Sequence, residues 1–214
     1  MRVIAIPVKS LSEAKSRLAG ALTPLERGAL TLAMLEDVLD AALALPGWET
    51  WVVSPDEAVL EVAARRGARP LPEERPPLAN AIRQVEQEAV DAGADTLAVL
   101  LGDTALVTAE ALTRAVHTLG RVVVAPDADE TGTNLLVRRP PRAIAARFGP
   151  ESYRKHLESA ETKGMPAAVV ELDELAFDLD APGDILTLLQ SRRAGRTRDV
   201  CLDMDVRSRI QIRT

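Results

Sequence analysis

Short apolar runs alternate with longer amphipathic segments along most of this 214-residue chain. The apolar runs are rich in β-branched residues and predict buried strands, at 3–8, 50–54, 96–101, 122–125, 134–138 and 167–172. The amphipathic segments repeat apolar residues every three or four positions and predict helices, at 24–45, 56–66, 78–92, 108–119, 152–163 and a last one ending near 190. This alternation predicts an α/β fold, a three-layer α/β/α arrangement around a mainly parallel mixed sheet.

Residue types at the ends of these segments support the predicted helices. Thr23 precedes Pro24, which is the usual order of an N-cap and a first helical residue. Thr108 is placed to cap another helix, and Gly67 and Gly93 directly follow two others. The boundaries therefore rest on capping chemistry as well as on periodicity.

The chain divides into a main domain, 1–190, and a basic tail, 191–214. Residues 191–200 are polar and rich in arginine, whereas 200–206 and 209–214 alternate apolar and polar positions. The tail is interpreted either as a solvated arm or as a short hairpin that caps a sheet edge or pairs with a second subunit. A homodimer is therefore one expectation.

Composition excludes several classes of protein. Hydrophobic residues make up 47% of the chain, which is enough for a substantial core. A net charge of −6 argues against a broad nucleic-acid-binding surface. The single cysteine, Cys201, can form neither an intramolecular disulfide nor a thiolate zinc site. No apolar stretch is long enough to span a bilayer, so we expect a cytoplasmic protein without nucleic-acid or membrane partners.

A cationic loop follows the first predicted strand. Lys9, Lys15 and Arg17 lie close together there, and their side chains suit phosphate oxygens. The loop lacks the glycines of a P-loop or of a dinucleotide-binding turn, so neither of those phosphate cradles applies. The segment predicts a triphosphate site, although an exposed loop with scattered cations explains the same residues.

Two acidic segments are candidates for a divalent cation. Asp103 follows Gly102 at the end of an apolar strand, where ligands bind in α/β sheets. Asp178 and Asp180 point to the same side of an extended segment, and a metal would relieve their repulsion. The alternative is that these acids cap turns and helices, and we favour that alternative for Asp184.

Two further segments offer groups for an anion. Residues 127–134 carry threonine, glycine and asparagine donors after a strand. Residues 148–152 form a turn in which Ser152 is a candidate N-cap, and a helix N-terminus attracts anions. A polar hairpin turn and simple capping are the alternatives. His117 and His156 lie in helical stretches without partners for metal binding.

Several of these segments together resemble the 2-phospho-L-lactate guanylyltransferase family, whose bacterial members often use phosphoenolpyruvate. The resemblance runs to about Gln190 and rests on 7–18 (PVKSLSEAKSRL), 22–39, 78–82 (LANAI), 125–136 (APDADETGTNLL), 148–160 (FGPESYRKHLESA) and 177–189. It implies a nucleotide-diphospho-sugar transferase-like (GT-A) fold. It also implies transfer of GMP from GTP to 2-phospho-L-lactate or phosphoenolpyruvate, with release of pyrophosphate, in the biosynthesis of the deazaflavin coenzyme F-420.

The resemblance also implies roles for individual residues. The residues that would bind GTP are Lys9, Lys15, Arg17, Asn80 and Asp103, and all of these except Asn80 would be catalytic. Asp103 with Asp178 or Asp180 would bind Mg²⁺. The phosphorylated three-carbon acid would contact Thr133, Gly149 and Ser152.

The chain departs from the family pattern at two places. Thr104 and Ala105 follow Asp103 where relatives commonly carry Leu-Pro, and Glu130 stands where glycine is common. These departures keep open a non-catalytic nucleotide-binding or scaffold protein of the same fold. A nucleotidyltransferase with another donor, of cytidylyl or molybdopterin type, is a second alternative because it shares this fold.

Overall fold

The computed structural model describes residues 1–191 and 193–211, and its centre is a mixed sheet. The strands found there are β1 (Arg2–Pro7), β2 (Trp48–Ser54), β3 (Arg69–Pro72), β4 (Thr96–Leu100), β5 (Val122–Pro126), β6 (Thr133–Arg138) and β7 (Ala168–Val169). Their order is β3-β2-β1-β4-β6-β5-β7. Only β6 runs antiparallel to its neighbours in this described sheet. The predicted mainly parallel mixed sheet is confirmed.

Helices cover both faces of the sheet. They are α1 (Pro24–Leu43), α2 (Glu57–Arg66), α3 (Leu78–Asp91), α4 (Ala109–His117), α5 (Ser152–Thr162), α6 (Asp173–Ala176), α7 (Pro182–Gln190), α8 (Arg196–Asp203) and α9 (Val206–Gln211). Buried side chains of α1, α2, α4 and α6 share one core with the sheet, and α3 and α5 pack on the opposite face. Among the described helices, none is long and apolar enough to cross a membrane.

The alternation of side chains along β1 explains the three layers. Ile4 and Ile6 belong to the core beneath α1 and α4, whereas Val3 and Ala5 pack against α3. Successive side chains of a strand point to opposite faces, so a strand that is apolar at every position must be covered on both sides. The uninterrupted apolar runs of the sequence therefore predict the layers correctly.

The predicted helix ends are confirmed where capping chemistry supported them. The Thr23 hydroxyl accepts a hydrogen bond from the Glu26 amide, and the Glu26 carboxylate accepts one from the Thr23 amide in return. The Thr108 hydroxyl caps α4 by accepting a hydrogen bond from the Ala111 amide, without a reciprocal bond. Gly67 ends α2 with a φ of 92°, a backbone region that favours glycine.

Strand β3 has no counterpart in the predicted elements. Its sequence, Arg-Pro-Leu-Pro, discourages a strand assignment because proline cannot donate to a neighbouring strand. The strand lies at the edge of the sheet, where one side needs no partner. At the other edge, β7 is shorter than the predicted strand 167–172, and the short helix α6 follows it.

The predicted C-terminal hairpin is wrong for the part of it that the structure describes. Residues 196–211 form α8 and α9, and the rest of the second predicted strand, 212–214, lies outside the described residues. Asp37 of α1 accepts hydrogen bonds from the Arg196 and Thr197 amides and from the Thr197 hydroxyl. This carboxylate supplies the N-terminal cap that the sequence next to α8 lacks.

The tail is not a solvated arm either. Cys201, Val206 and Ile210 are buried in one apolar cluster with Leu30 and Met34 of α1. Sequence alternation over a few residues does not distinguish a strand from a short helix that buries one face. Burial against α1 favours two short helices over a hairpin in this tail.

Candidate active site at the carboxyl edge of the sheet

The predicted site residues approach one another at one edge of the sheet. Strands β1 and β4 are parallel, so their carboxyl ends meet there. Strand β6 is antiparallel to β4 and β5, and Thr133 at its first position pairs with Pro126 at the end of β5. The amino end of β6 therefore lies at the same edge as the carboxyl ends of its neighbours.

Gly102 lets the end of β4 approach the end of β1 closely. A Cβ atom at Gly102 would lie 3.0 Å from Cγ2 of Val8 and 3.3 Å from the carbonyl oxygen of Pro7. Real Cβ contacts are rarely this short, so a larger residue would push the two strand ends apart. The glycine thereby brings Asp103 next to the loop that follows β1.

Lys15 joins two acidic segments that are far apart in the sequence. Its Nζ lies 2.9 Å from Oδ2 of Asp103 and 2.8 Å from Oδ1 of Asp180. The Lys15 side chain is only 7% exposed. The other carboxylate oxygen of Asp103, Oδ1, is buried and has no hydrogen-bond partner among the described residues. The carboxylates predicted to form one site are therefore adjacent, with an ammonium between two of them.

Charge pairing keeps Lys15 and Asp180 ionised. Burial alone would lower the pKa of Lys15, but the charges of Asp103 and Asp180 outweigh burial and raise that pKa. Burial would likewise raise the pKa of Asp180, but Lys15, Arg17 and Lys9 outweigh it and lower that pKa. Lys15 and Asp180 therefore hold opposite charges at neutral pH.

Asp178 is the residue of the acidic segment whose ionisation is least favourable. Burial and the nearby charges of Asp103, Asp180 and Asp127 raise its pKa to about 6. The segment is held in place by the Leu179 amide, which donates to the carbonyl oxygen of Asp103 at 3.2 Å. The fold therefore keeps a carboxylate where other negative charges oppose its ionisation.

The raised pKa of Asp178 predicts that Asp178→Asn stabilises the protein against unfolding at alkaline pH. The pKa of Asp178 is higher folded than unfolded, so its contribution favours folding below about pH 4 and is lost as the pH rises through 6. Two pK units correspond to about 3 kcal/mol, and partial exposure reduces this to about 1–2 kcal/mol. Urea unfolding with a chelator present should show this gain at pH 8 and about a third of it at pH 4.5, because the loss begins at the ordinary pKa of 3.8.

The exposed Asp203 offers a matched control for this test. Asp203→Asn should change the free energy of unfolding by less than about 0.5 kcal/mol at both pH values. An equal gain for Asp178→Asn at pH 8 and pH 4.5 would assign the effect to packing and would contradict the charge argument.

Asp184 has the structural role that was favoured for it. Its Oδ2 accepts hydrogen bonds from the amides of Asp180 and Ala181, at 2.8 and 2.6 Å. These contacts cap the start of α7 and at the same time fix the backbone of Asp180.

Two residues that sequence reasoning missed hold the loop after β1. The carboxylate of Asp56 caps α2 and also accepts a hydrogen bond from the Leu11 amide at 3.0 Å. The guanidinium of Arg27 in α1 donates to the carbonyl oxygens of Ala14 and Leu22. The loop is therefore anchored at both ends, while Lys9 and Arg17 project into solvent.

Thr133, Gly149 and Ser152 lie around the start of α5. The Thr133 hydroxyl is 3.0 Å from Nδ1 of His156, and both side chains are buried. Ser152 lies one helical turn before His156, hence on the same face of α5. Gly149 has a φ of 110°, which other residues adopt only with strain, and a Cβ there would meet no atom within 4 Å.

Ser152 is not the N-cap of α5, contrary to the capping interpretation. It is the first residue of the helix, after Glu151 with a φ of 58°. Its hydroxyl is buried and has no hydrogen-bond partner within the described part of the chain. The amides of Ser152 and Tyr153 donate to the carbonyl oxygens of Gly149 and Thr131. The Ser152 hydroxyl is thus the polar group left for a ligand.

Asn134 connects the two halves of this edge. Its buried side-chain amide donates to the carbonyl oxygens of Leu175 and Ala176 at 2.9 and 3.1 Å. These carbonyls lie at the end of α6, directly before the acidic segment at 178–180. An asparagine next to the candidate ligand residue Thr133 was the sequence signal, but its partners lie 41 and 42 residues further along the chain.

Two predicted or flagged residues do not join this cluster through any contact observed. The side chain of Asn80 donates to the carbonyl oxygen of Pro76 and accepts from Arg83, both nearby in the chain. Glu130 is exposed and has a φ of 55°, a backbone region that favours glycine. That conformation explains why glycine suits this position.

The described chain, residues 1–191 and 193–211, lacks a ready-made metal centre. No group of three or more His, Cys, Asp or Glu side chains is arranged there to hold a metal ion. A separate cleft of about 590 Å³ lies between α1 and the start of α8 and is lined by Asp37, Asp40, Arg193 and Arg196 among others, with no predicted site residue.

Comparison with known proteins identifies the family. The family model described as "Guanylyl transferase CofC like" matches residues 1–208. The chain belongs to this family. It is therefore a nucleotidyltransferase, and the resemblance found in its sequence is confirmed. The match extends beyond residue 190 and includes α8.

Two curated relatives span almost the same length as this family member. The chain is 39% identical over 200 residues to the phosphoenolpyruvate guanylyltransferase of Sphaerobacter thermophilus, covering 92% of this chain and 97% of that protein. It is 34% identical over 205 residues to the 3-phospho-D-glycerate guanylyltransferase of Phenylobacterium zucineum, covering 92% and 94%.

A solved structure supports the fold. A candidate nucleotide-diphospho-sugar transferase from Desulfovibrio desulfuricans G20 superposes with a TM-score of 0.77 at 19% identity, covering 99% of this chain and 98% of that one. At this identity the likeness establishes the α/β nucleotidyltransferase fold alone.

Proposed function

We propose that this protein transfers GMP from GTP to a phosphorylated three-carbon acid and releases pyrophosphate. Phosphoenolpyruvate is the acid of first choice, because a relative at 39% identity is named for it. The observation that supports this proposal most directly is the cluster of Asp103, Lys15 and Asp180. It lies at the sheet edge that also contains Thr133. We propose 2-phospho-L-lactate as the second acid, and a role in F-420 biosynthesis as the sequence resemblance implies.

The cationic loop would bind the triphosphate of GTP. Lys9 and Arg17 are exposed, and Arg17 lies beside Asp180. Both side chains would reach phosphate oxygens without any change in the core. Lys15 is buried between two carboxylates and would add a fixed positive charge beneath the phosphates. Asn80 lies in the first turn of α3 and would approach the nucleoside. These roles together compensate the negative charge that develops on the phosphates.

The acidic cluster fits Mg²⁺. This ion is commonly bound by one or two carboxylates together with substrate phosphates rather than by a complete protein cage. Oδ1 of Asp103 is a buried acceptor without a partner among the described residues, and Asp178 carries a charge that its neighbours oppose. Asp103 with Asp178 or Asp180 would hold the ion, which would offset the negative charge of the phosphates.

The acid substrate would lie at the start of α5. The hydroxyls of Thr133, at the start of β6, and of Ser152, at the start of α5, are both buried, and the Ser152 hydroxyl lacks a partner in the described chain. A Cβ at Gly149 would meet no atom within 4 Å, so the turn before the helix borders open space that the acid would occupy. Hydroxyl donors at this position suit the carboxylate of a three-carbon acid.

The reaction would be an in-line displacement at phosphorus. A phosphate oxygen of the acid would form a new bond to the α-phosphorus of GTP, and the bond between that phosphorus and the bridging oxygen to the β-phosphorus would break. Pyrophosphate would carry away the electron pair. The attacking phosphate is ionised near neutral pH, so the protein needs to position the reactants but not to remove a proton.

Pyrophosphate release tests this function directly. The purified protein should be incubated with each nucleoside triphosphate, Mg²⁺ and one acid from phosphoenolpyruvate, 2-phospho-L-lactate and 3-phospho-D-glycerate. We expect release with GTP and phosphoenolpyruvate, and none with the acid omitted. Release with CTP instead of GTP would contradict the donor assignment, and GTP binding without turnover for any acid would favour the non-catalytic alternative.

The 3-phospho-D-glycerate arm has its own justification. The relative named for that acid is 34% identical and covers 92% of this chain, which is close to the values for the phosphoenolpyruvate relative. Glu130 lies in the turn between β5 and β6, shortly before Thr133. It adds a negative charge where glycine is common, so it would influence which acid binds. A homodimer and a cytoplasmic location stay predictions from the sequence.

A further inference from the structure

Both ring nitrogens of His156 are engaged in the protein interior. Nδ1 lies 3.0 Å from the Thr133 hydroxyl oxygen, and Nε2 lies 2.8 Å from the amide nitrogen of Arg147. A backbone amide can only donate, so Nε2 must be the acceptor and carries no proton. In a neutral imidazole the proton then resides on Nδ1.

The surroundings of His156 favour this neutral ring. The side chain is completely buried, and the ring of Phe148 packs edge-on against it at 5.3 Å between centroids. Burial and the positive charges of Arg138, Arg147 and Lys155 lower the pKa of His156 to about 4. A protonated Nε2 would also face the amide hydrogen of Arg147. The ring is thus a neutral donor toward Thr133 at physiological pH.

The hydrogen bond from His156 determines the direction in which the Thr133 hydroxyl can donate. Because the oxygen accepts from Nδ1 of His156, the hydroxyl proton must point away from the ring. Ser152, one turn earlier on the same helix face, has a buried hydroxyl without a partner among the described residues. Thr133 is therefore oriented as a hydrogen-bond donor, and Ser152 supplies a second buried hydroxyl at the start of α5.

We propose that His156 is a positioning residue that fixes the Thr133 hydroxyl as a donor to the carboxylate of the acid substrate. This inference rests on the proposed function, because it names how that function selects an anionic acceptor. His156 itself touches no substrate. It acts through Thr133, and its contact with Arg147 holds the ring in the orientation that makes this possible.

Two substitutions separate this role from a merely structural one. In His156→Asn the amide nitrogen can replace Nδ1 and keep the bond to Thr133, while the bond to Arg147 is lost. In His156→Gln the amide oxygen can replace Nε2 and keep the bond to Arg147, while the bond to Thr133 is lost. Circular dichroism and the melting temperature establish that each variant is folded.

The steady-state kinetics of these variants test the proposal. We expect His156→Gln to raise KM for the acid by about 10- to 100-fold and to change KM for GTP by less than about twofold. His156→Asn should retain KM for the acid within about threefold of the unmodified protein. The reverse order, with Gln near normal and Asn impaired, would assign His156 to the Arg147 loop and overturn the proposal.

Coupling with Thr133→Val provides the second kinetic test. If His156 acts through the Thr133 hydroxyl, adding His156→Gln to Thr133→Val should raise KM for the acid by less than about twofold further. Additive effects of the two substitutions would contradict the proposed mechanism.

A spectroscopic measurement keeps the inference separate from the proposed function. Nitrogen-15 spectra of the labelled full-length protein at pH 7 should show His156 protonated at Nδ1 and bare at Nε2, with no substrate present. The opposite tautomer would overturn the proposal even if turnover is normal. If no acid supports turnover while the spectra show the expected tautomer, the proposed function fails and the geometry of His156 stands.

Discussion

Replacing Asp103 by asparagine should lower turnover with GTP and phosphoenolpyruvate by about a thousandfold. The substitution keeps the shape of the side chain but removes the negative charge beside Lys15, which Nζ contacts at 2.9 Å. If the remaining oxygen stays with Lys15, an NH2 group takes the place of the buried acceptor Oδ1. Asp180 continues to pair with Lys15, so the loop after β1 should keep its position. Pyrophosphate release at saturating substrate measures the loss.

Asp91 provides the matched control for this substitution. It is an exposed aspartate near the end of α3 and accepts a hydrogen bond only from Gln87 among the contacts observed in the described chain. Asp91→Asn should keep turnover within about twofold of the unmodified protein. Full turnover in Asp103→Asn would remove this carboxylate from the reaction and would contradict the Mg²⁺ proposal at this residue.

Replacing Lys15 by methionine should lower turnover by about a hundredfold and also destabilise the fold. Methionine retains most of the apolar stem but leaves Asp103 and Asp180 without the ammonium between them. The lost pairing should cost about 1–3 kcal/mol, because Lys15 is buried while Asp180 is partly exposed to solvent. Urea unfolding and pyrophosphate release measure the two effects separately.

Lys163 is the matched control for Lys15. Its Nζ donates to the carbonyl oxygen of Ala143 and makes no ion pair among those seen in the described residues. Lys163→Met should leave turnover unchanged within about twofold. If Mg²⁺ at high concentration restores both stability and turnover of Lys15→Met, the lysine serves mainly to neutralise the carboxylates. Recovered stability without turnover would instead indicate contact with the triphosphate.

Sequence patterns predicted the layers and most element ends because these depend on local chemistry. The apolar runs at 96–101 and 122–125 became β4 and β5 within about a residue, since a strand buried on both faces needs no periodicity. Thr23 and Thr108 cap helices through their own first turns. Such contacts join residues three positions apart and require no knowledge of the remaining fold.

The acidic and cationic site residues were also visible in the sequence. Asp103 and Asp180 lie at the ends of extended segments, and the position of functional groups outside the carboxyl ends of strands is a general property of α/β sheets. What the sequence left open was whether each acid capped a turn. Lys15 resolves that question for both, because one ammonium contacts both carboxylates.

Sequence alone determined the composition of the core, the strand and helix alternation, and the presence of residue types suited to anions and cations. Only the tertiary structure decided the antiparallel direction of β6, the helical tail packed on α1, and the Thr133–His156 contact. Strand direction depends on pairing with distant neighbours, and Asp37 caps α8 from 159 residues away. Interactions of this range leave no periodicity in the sequence that carries them, so they become visible only when the chain is folded.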